Sequence, residues 1–143
     1  FLTIISSPKI SISGIPKAQR RHRHTKSGHV YDPSKKDKAE FLLQAMKYKP
    51  KKPLESAKLT IIFRFKRPKS HYGKHGLKKS APEVHNKRPD VDNLAKFVMD
   101  ALDGVFFIDD GCVHTLVASK EYANRVNLDC EKYGGETLVE IRL

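Results

Sequence analysis

The chain has 143 residues, 38% of them hydrophobic, and its 28 lysines and arginines against 16 aspartates and glutamates give a formal charge of +12. This length predicts a single domain spanning residues 1–143, and the hydrophobic content excludes a disordered chain despite the charge. The sequence has no run of 18 apolar residues and no secretory-signal pattern, which predicts a soluble, intracellular protein without a membrane span.

The charge is unevenly distributed along the chain. Residues 1–82 contain 21 basic and 4 acidic residues, whereas residues 83–143 contain 7 basic and 12 acidic residues. The basic excess predicts a polyanionic partner such as nucleic acid, because each cation that neutralises a phosphate releases condensed counterions. A solvated, lysine-rich surface is the alternative that charge alone leaves open.

The first third of the chain predicts a strand, a basic loop and a helix. Residues 1–13 alternate loosely, which favours an opening strand or hairpin, and residues 16–31 form a very basic loop after it. Asp32 as N-cap and Pro33 at the first helical position predict a helix that runs to about Tyr48.

The middle of the chain contains the clearest periodic patterns. Residues 57–66 place apolar and polar side chains on alternate faces, which predicts a strand. Residues 67–89 show no period and predict a long basic loop, which is usually functional or disordered. Residues 91–102 place apolar side chains at helical spacing, and Gly104 supplies the stop of this second helix.

The last third of the chain predicts three more strands. They cover residues 105–110, which run into two aspartates, then residues 112–123, and finally residues 136–143 at the end of the chain. The predicted fold is therefore α+β, a small domain with a mixed β-sheet of about five strands and two main helices.

Residues 87–110 concentrate six aspartates in an otherwise basic chain. Asp90 and Asp92 lie two apart in a segment predicted to be extended, so both carboxylates are expected to point the same way. A strand beside the start of the second helix would bring Asp109 or Asp110 to them, and spacing alone leaves that choice open. Three such carboxylates suit Mg²⁺ or Mn²⁺, which polarises a phosphodiester and lowers the pKa of an attacking water.

Lys96 follows Asp92 by four residues and is expected on the same helical face, where its ammonium can pair with that carboxylate or reach a phosphate. Purely structural alternatives stay open for all of these residues. Asp92 or Asn93 can cap the helix, and Asp100 and Asp103 can be solvated helix residues. Asp109 and Asp110 can form a turn, and Lys96 can form a weak surface ion pair. The seven histidines, His85 among them, are predicted to be surface residues or phosphate contacts.

Two stretches of the sequence resemble a known protein family. The stretch PDVDNLAKFVMDALDGVFFIDDGCV, residues 89–113, resembles the signature of RusA-type Holliday junction resolvases: D-x-D-N-L-x-K, then D-A-L, then D-D after a short hydrophobic stretch. Residues 14–41 are similar to the N-terminal part of many members. The resemblance implies a small homodimeric endonuclease that binds four-way DNA junctions by their structure. Such an enzyme cleaves symmetrically related strands with Mg²⁺ or Mn²⁺ and leaves ligatable nicks.

The resemblance also implies roles for individual residues. Asp90 and Asp92 match the two aspartates of the D-x-D motif, and Asp110 matches the second aspartate of the D-D pair. These three are implied metal ligands. Lys96 matches the motif lysine, which implies a catalytic or phosphate-contacting cation. The loop at residues 67–89 is longer than in the compact members of the family.

Eight further cations are predicted to line the DNA surface because they fall in loops or near the acidic motif. They are Arg20, Arg21, Arg23, Lys26, Lys78, Lys79, Lys87 and Arg88. Two other functions stay open beside junction resolution. One is a non-catalytic basic nucleic-acid-binding module in which the aspartates are caps and turns. The other is a nuclease of the same chemistry that acts on other branched DNA or on RNA.

Overall fold

The computed structural model describes residues 9–124 and 127–143, so the predicted opening strand lies partly outside the described residues. The strands are β1 (Lys9–Ser13), β2 (Arg23–His24), β3 (Val30–Tyr31), β4 (Ala57–Phe65), β5 (Tyr72–Gly73), β6 (Gly76–Leu77), β7 (Val113–Tyr122) and β8 (Gly135–Arg142). The α-helices are α1 (Lys35–Ala45), α2 (Val91–Leu102) and α3 (Leu128–Tyr133). Among the described residues, no helix is long and apolar enough to cross a membrane.

The main sheet has four strands in the spatial order β1-β8-β4-β7. Strand β8 is antiparallel to both of its neighbours, whereas β4 and β7 are parallel. Parallel neighbours need a crossover connection, and α2 lies in the connection between β4 and β7. The mixed sheet, the two small additional sheets and the two main helices confirm the predicted α+β fold class.

The core lies between one face of this sheet and the helices α1 and α2. The side chains of Leu59, Ile61 and Phe63, at alternate positions of β4, are almost fully buried. Phe41 of α1 meets Phe97 of α2 edge to face, with 5.8 Å between the ring centroids. Burying a large apolar side chain stabilises a fold by about 1.5–3 kcal/mol. This face therefore holds α2 firmly against the sheet.

The helix and strands with strong periodic patterns in the sequence were predicted closely. The second helix runs over residues 91–102 as expected, and it buries Leu94, Ala95, Phe97, Val98, Ala101 and Leu102. Gly104 follows it with a φ of 78°, the left-handed conformation that glycine adopts most easily. The strands predicted over residues 57–66, 112–123 and 136–143 are present with bounds shifted by one residue.

The predicted N-cap of the first helix is wrong, because the N-cap residue is Ser34 and the α-helix starts at Lys35. Asp32 instead accepts hydrogen bonds from the backbone N–H of Ser34, the Nζ of Lys38 and the Nε2 of Gln19. Burial acts to raise the pKa of Asp32, but these bonds and the lysine charge hold it at about 2. Asp32 thus anchors the base of the basic loop to α1.

The strand predicted over residues 105–110 is wrong. Phe106 and Phe107 are adjacent and are both almost fully buried, whereas a strand would send them to opposite faces. The chain turns here instead, and backbone hydrogen bonds join it to Leu54 on both sides: Leu54 N donates to the Phe106 carbonyl and Ile108 N donates to the Leu54 carbonyl. The turn places Asp109 and Asp110 at the start of a short 3-10 helix.

The two basic loops contain more structure than the sequence pattern predicted. Strands β2 and β3 form a hairpin inside residues 16–31, and β5 and β6 form another inside residues 67–89. Strands of two residues are too short to produce a visible alternation. Helix α3 was not predicted, because its six residues bury only Cys130.

His85, in the second of these loops, is buried rather than exposed. Its ring lies 4.6 Å from the ring centroids of both Phe65 and Tyr122. Its Nδ1 is buried and has no hydrogen-bond partner among the described residues. Burial, and then the charge of Lys120, lowers the pKa of His85. Protonation of this ring therefore opposes the packing that holds residues 67–89 against the sheet.

We expect His85 to make the fold sensitive to acid. Because its pKa is lower in the folded state, the unfolded chain takes up the extra proton, and stability falls as the pH drops below the unfolded pKa of about 6.5. The loss is at most about 1.4 kcal/mol per pH unit for one group. Urea unfolding at pH values between 7.5 and 5 measures this loss of stability. His85→Phe should flatten the pH dependence, and His75→Phe, at an exposed position, should not; equal slopes in both variants would contradict the assignment.

Candidate active site

The first two predicted site residues lie at the start of α2. Asp90 is the N-cap residue of the helix, is exposed, and makes no capping hydrogen bond with its side chain. Asp92 is also exposed and lies in the first helical turn rather than in an extended segment, and its Oδ1 accepts a hydrogen bond of 2.9 Å from the N–H of Asn93. Neither carboxylate is used to hold the helix against the core, so both are accessible to a ligand.

Lys96 lies one helical turn after Asp92 and is exposed. Among the described residues it has no ion-pair partner, so of the two alternatives the pairing with Asp92 is not formed. Positions 92, 96 and 100 fall on one side of α2, because residues four apart are neighbours on a helix, and Asp103 is the C-cap residue that follows the helix. We call these four side chains, Asp92, Lys96, Asp100 and Asp103, the α2 stripe.

Asp110 lies near enough to the α2 stripe for the charges of Asp103, Asp100 and Lys96 to act on it. Its pKa is raised by burial and then by the carboxylates of Asp103, Asp100 and Asp109, while the ammonium of Lys96 lowers it. Asp109 has a different role, because its Oδ1 accepts a hydrogen bond of 2.7 Å from Gly111 N–H and caps the 3-10 turn. A raised carboxylate pKa amid like charges indicates negative potential that a cation would relieve.

The direction of β7 explains why Asp110 is not beside Asp90. Strand β7 begins three residues after Asp110 and runs back along α2, so that the Nζ of Lys120 near its end donates a hydrogen bond of 2.9 Å to the Pro89 carbonyl. Asp90 and Asp103 are separated by about 20 Å along a helix that rises about 1.5 Å per residue. Asp110 is therefore near one end of α2 and Asp90 near the other.

Within residues 9–124 and 127–143, no three carboxylate, imidazole or thiol groups are close enough together to hold one metal ion. The expectation that a strand beside the start of α2 would bring Asp110 to Asp90 and Asp92 is wrong for a single chain. The side chains of one chain thus do not fit a three-carboxylate metal site. That these three aspartates share a site stays a prediction.

The cations predicted to contact DNA occupy three exposed places. Arg20, Arg21, Arg23 and Lys26 lie in or beside the β2–β3 hairpin, where all residues from 20 to 31 are exposed. Lys78 and Lys79 follow the β5–β6 hairpin, and Lys87 and Arg88 precede Asp90. Their exposure is compatible with contacts to a phosphate backbone, and these contacts stay a prediction.

Lys120 is the residue near this site that sequence reasoning missed. The available signal was the alternation of β7, which places Lys120 on the same face as Leu116, Ala118 and Tyr122. A lysine at a position where apolar side chains are expected indicates a specific partner for its ammonium.

Comparison with known proteins agrees with the resemblance seen in the motif. The family model described as Endodeoxyribonuclease RusA matches residues 12–141, which is most of the chain and includes every predicted site residue. Comparison with curated proteins found no match. On the extent of the family match, together with the fold and the D-x-D-N-L-x-K motif, this chain belongs to the RusA endodeoxyribonuclease family.

Proposed function

We propose that the protein is a structure-selective DNA endonuclease that resolves four-way (Holliday) junctions by paired phosphodiester hydrolysis, in DNA recombination and repair. The observation that carries the proposal is the family match over residues 12–141, in which the D-x-D-N-L-x-K motif occupies the exposed start of α2. The exposed cations in and beside the two hairpins support a polyanionic substrate, because they have no ion-pair partner among the described residues that would neutralise their charge.

Asp90, Asp92 and Asp110 are the proposed ligands of Mg²⁺, for which Mn²⁺ can substitute. When bound, such an ion lowers the pKa of a water molecule and stabilises charge on the phosphate. Lys96, which has no ion-pair partner among the described residues, is free to bind the phosphate that is cut. Since one chain does not bring the three aspartates together, we assign no metal-dependent step to the isolated chain.

A homodimer is the proposed arrangement that brings the three aspartates together. Strand β7 is an edge strand of the described sheet, and it exposes 43% of Leu116 and 49% of Val117. Exposed sheet edges tend to pair with another strand, and two-fold pairing of identical strands is antiparallel. Such pairing places the start of one β7, which follows Asp110, beside the end of the other β7, which contacts the segment before Asp90. Two equivalent sites would result, as two opposed cuts require.

The direct test compares two DNA substrates. In the presence of Mg²⁺ and at about 0.1 M salt, where exposed charges are screened beyond about 10 Å, a synthetic four-way junction should be cut in opposed strands. Its cleavage should be at least about tenfold faster than that of a linear duplex of equal length, a difference of about 1.4 kcal/mol. Chelation of the metal with EDTA should stop the reaction.

Other outcomes would identify the other candidate functions. Equal rates on the junction and the duplex would contradict a resolvase and favour a nuclease with another substrate. Tight junction binding with no cleavage in Mg²⁺ or Mn²⁺ would instead favour the non-catalytic binding module.

A further inference from the structure

Lys120 occupies an inward position of β7. Along the parallel pair, Lys120 lies opposite Phe63 of β4, whose side chain is 1% exposed and faces the helices. Residues paired across neighbouring strands share a face of the sheet, so the lysine stem also runs across the helix-side face. The side chain is therefore directed toward the start of α2 rather than into solvent.

The ammonium of Lys120 is held by the backbone immediately before the D-x-D motif. Its Nζ donates one hydrogen bond to the carbonyl of Lys87 and a second, of 2.9 Å, to the carbonyl of Pro89. The two acceptors are 33 and 31 residues away in the chain. A single side chain thus joins the edge strand of the sheet to the segment that leads into Asp90.

The surroundings of Lys120 are otherwise unfavourable for a cation. The start of a helix carries partial positive charge, which repels an ammonium, and the half-buried side chain loses part of its hydration. No carboxylate pairs with Lys120 among the described residues. The two carbonyls compensate this cost, since hydrogen bonds to charged donors are stronger than those between neutral groups. The contact is therefore specific rather than incidental.

We propose that Lys120 is the positioning residue for Asp90. By fixing the carbonyls of Lys87 and Pro89, it sets where the backbone enters α2 and hence where the carboxylate of Asp90 stands. Asp90 has no side-chain hydrogen bond of its own among the described residues, so its position depends on the backbone that carries it. This inference rests on the proposed function for its catalytic consequence, but its structural part stands independently.

Limited trypsin digestion tests the structural part without any activity assay. Lys120→Met removes the donors and keeps the stem, so the segment before Asp90 should open more often, and cleavage after Lys87 should accelerate about tenfold. The matched control is Lys58→Met, at a position of β4 on the opposite face of the sheet, and its cleavage rate should equal that of the wild type. Unchanged cleavage after Lys87 in Lys120→Met would overturn the proposal. Unfolding midpoints of both variants should confirm that the fold is intact.

Junction kinetics test the catalytic part. Residues that orient a ligating group typically affect activity by 10- to 100-fold, so kcat of Lys120→Met should fall by about that factor. Junction affinity should stay within about threefold, because no phosphate contact is removed. Lys120→Arg, which keeps the donors, should restore much of the kcat. An equal fall in affinity and kcat would overturn a positioning role and indicate a phosphate contact.

If the wild type cuts no DNA, the proposed function fails, while the trypsin result still decides whether Lys120 holds this segment.

Discussion

Asp92→Asn is expected to abolish cleavage of a four-way junction while leaving its affinity for the junction similar or higher. Asparagine has almost the same shape and still offers an oxygen to the N–H of Asn93, which Asp92 binds at 2.9 Å. It lacks the negative charge that a divalent ion requires. The rate should fall by at least about 1000-fold, or about 4 kcal/mol of transition-state stabilisation. Binding should not weaken, because the substitution removes a negative charge near phosphate.

The control for this experiment is Asp129→Asn on α3. Asp129 also lies in the first turn of a helix and is also exposed, so this variant makes the same change of charge in the same local setting. It should cut junctions at the wild-type rate. Equal cutting by Asp92→Asn would contradict the assignment of Asp92 to the site. A large loss of junction affinity in Asp92→Asn would instead indicate that this carboxylate stabilises the fold. The free energy of unfolding would then fall by more than the about 0.3–1 kcal/mol expected for a charge at a helix terminus.

The helix and strands that were predicted accurately are those whose packing has a simple period. Helix α2 buries one face against the sheet, and β4 buries every second residue, so their apolar positions repeat along the sequence. The strand prediction for residues 105–110 was wrong because the packing of this segment has no simple period. Phe106 and Phe107 are consecutive and both enter the core, which a turn permits and a strand with one solvent-exposed face does not. Composition alone could not separate those two conformations.

The motif predicts which aspartates form the site, but it does not predict how they are placed. Spacing predicted correctly that Asp92 and Lys96 share a helical face, because that relation is local. The position of Asp110 depends on the direction in which β7 runs along α2, which is a property of the whole sheet. Lys120 was missed because its partners are carbonyls more than thirty residues away, and carbonyls carry no sequence signature.

Mixing two inactive variants should restore cleavage if each site is built from two chains. We expect Asp90→Asn and Asp110→Asn to be inactive as separate homodimers. In a mixed dimer, the proposed two-fold pairing places both substitutions in the same site and leaves the other site with native Asp90, Asp92 and Asp110. After subunit exchange, about half of the dimers are mixed, and each has one intact site. These dimers should nick one strand of a junction rather than cut two.

A second mixture tests whether the restored nicking depends on Asp110 and Asp90 coming from different chains. Asp90 and Asp92 lie at the same end of α2, so mixed dimers of Asp90→Asn and Asp92→Asn carry one substitution in each site and should stay inactive. Nicking in the first mixture and none in the second would require that Asp110 acts with the aspartates of another chain. If neither mixture nicks, although mixed dimers are demonstrated by mass spectrometry, the three aspartates must act within one chain. Asp110 would then have to move toward the start of α2 when metal and DNA bind, because the helix between Asp90 and Asp103 is itself about 20 Å long.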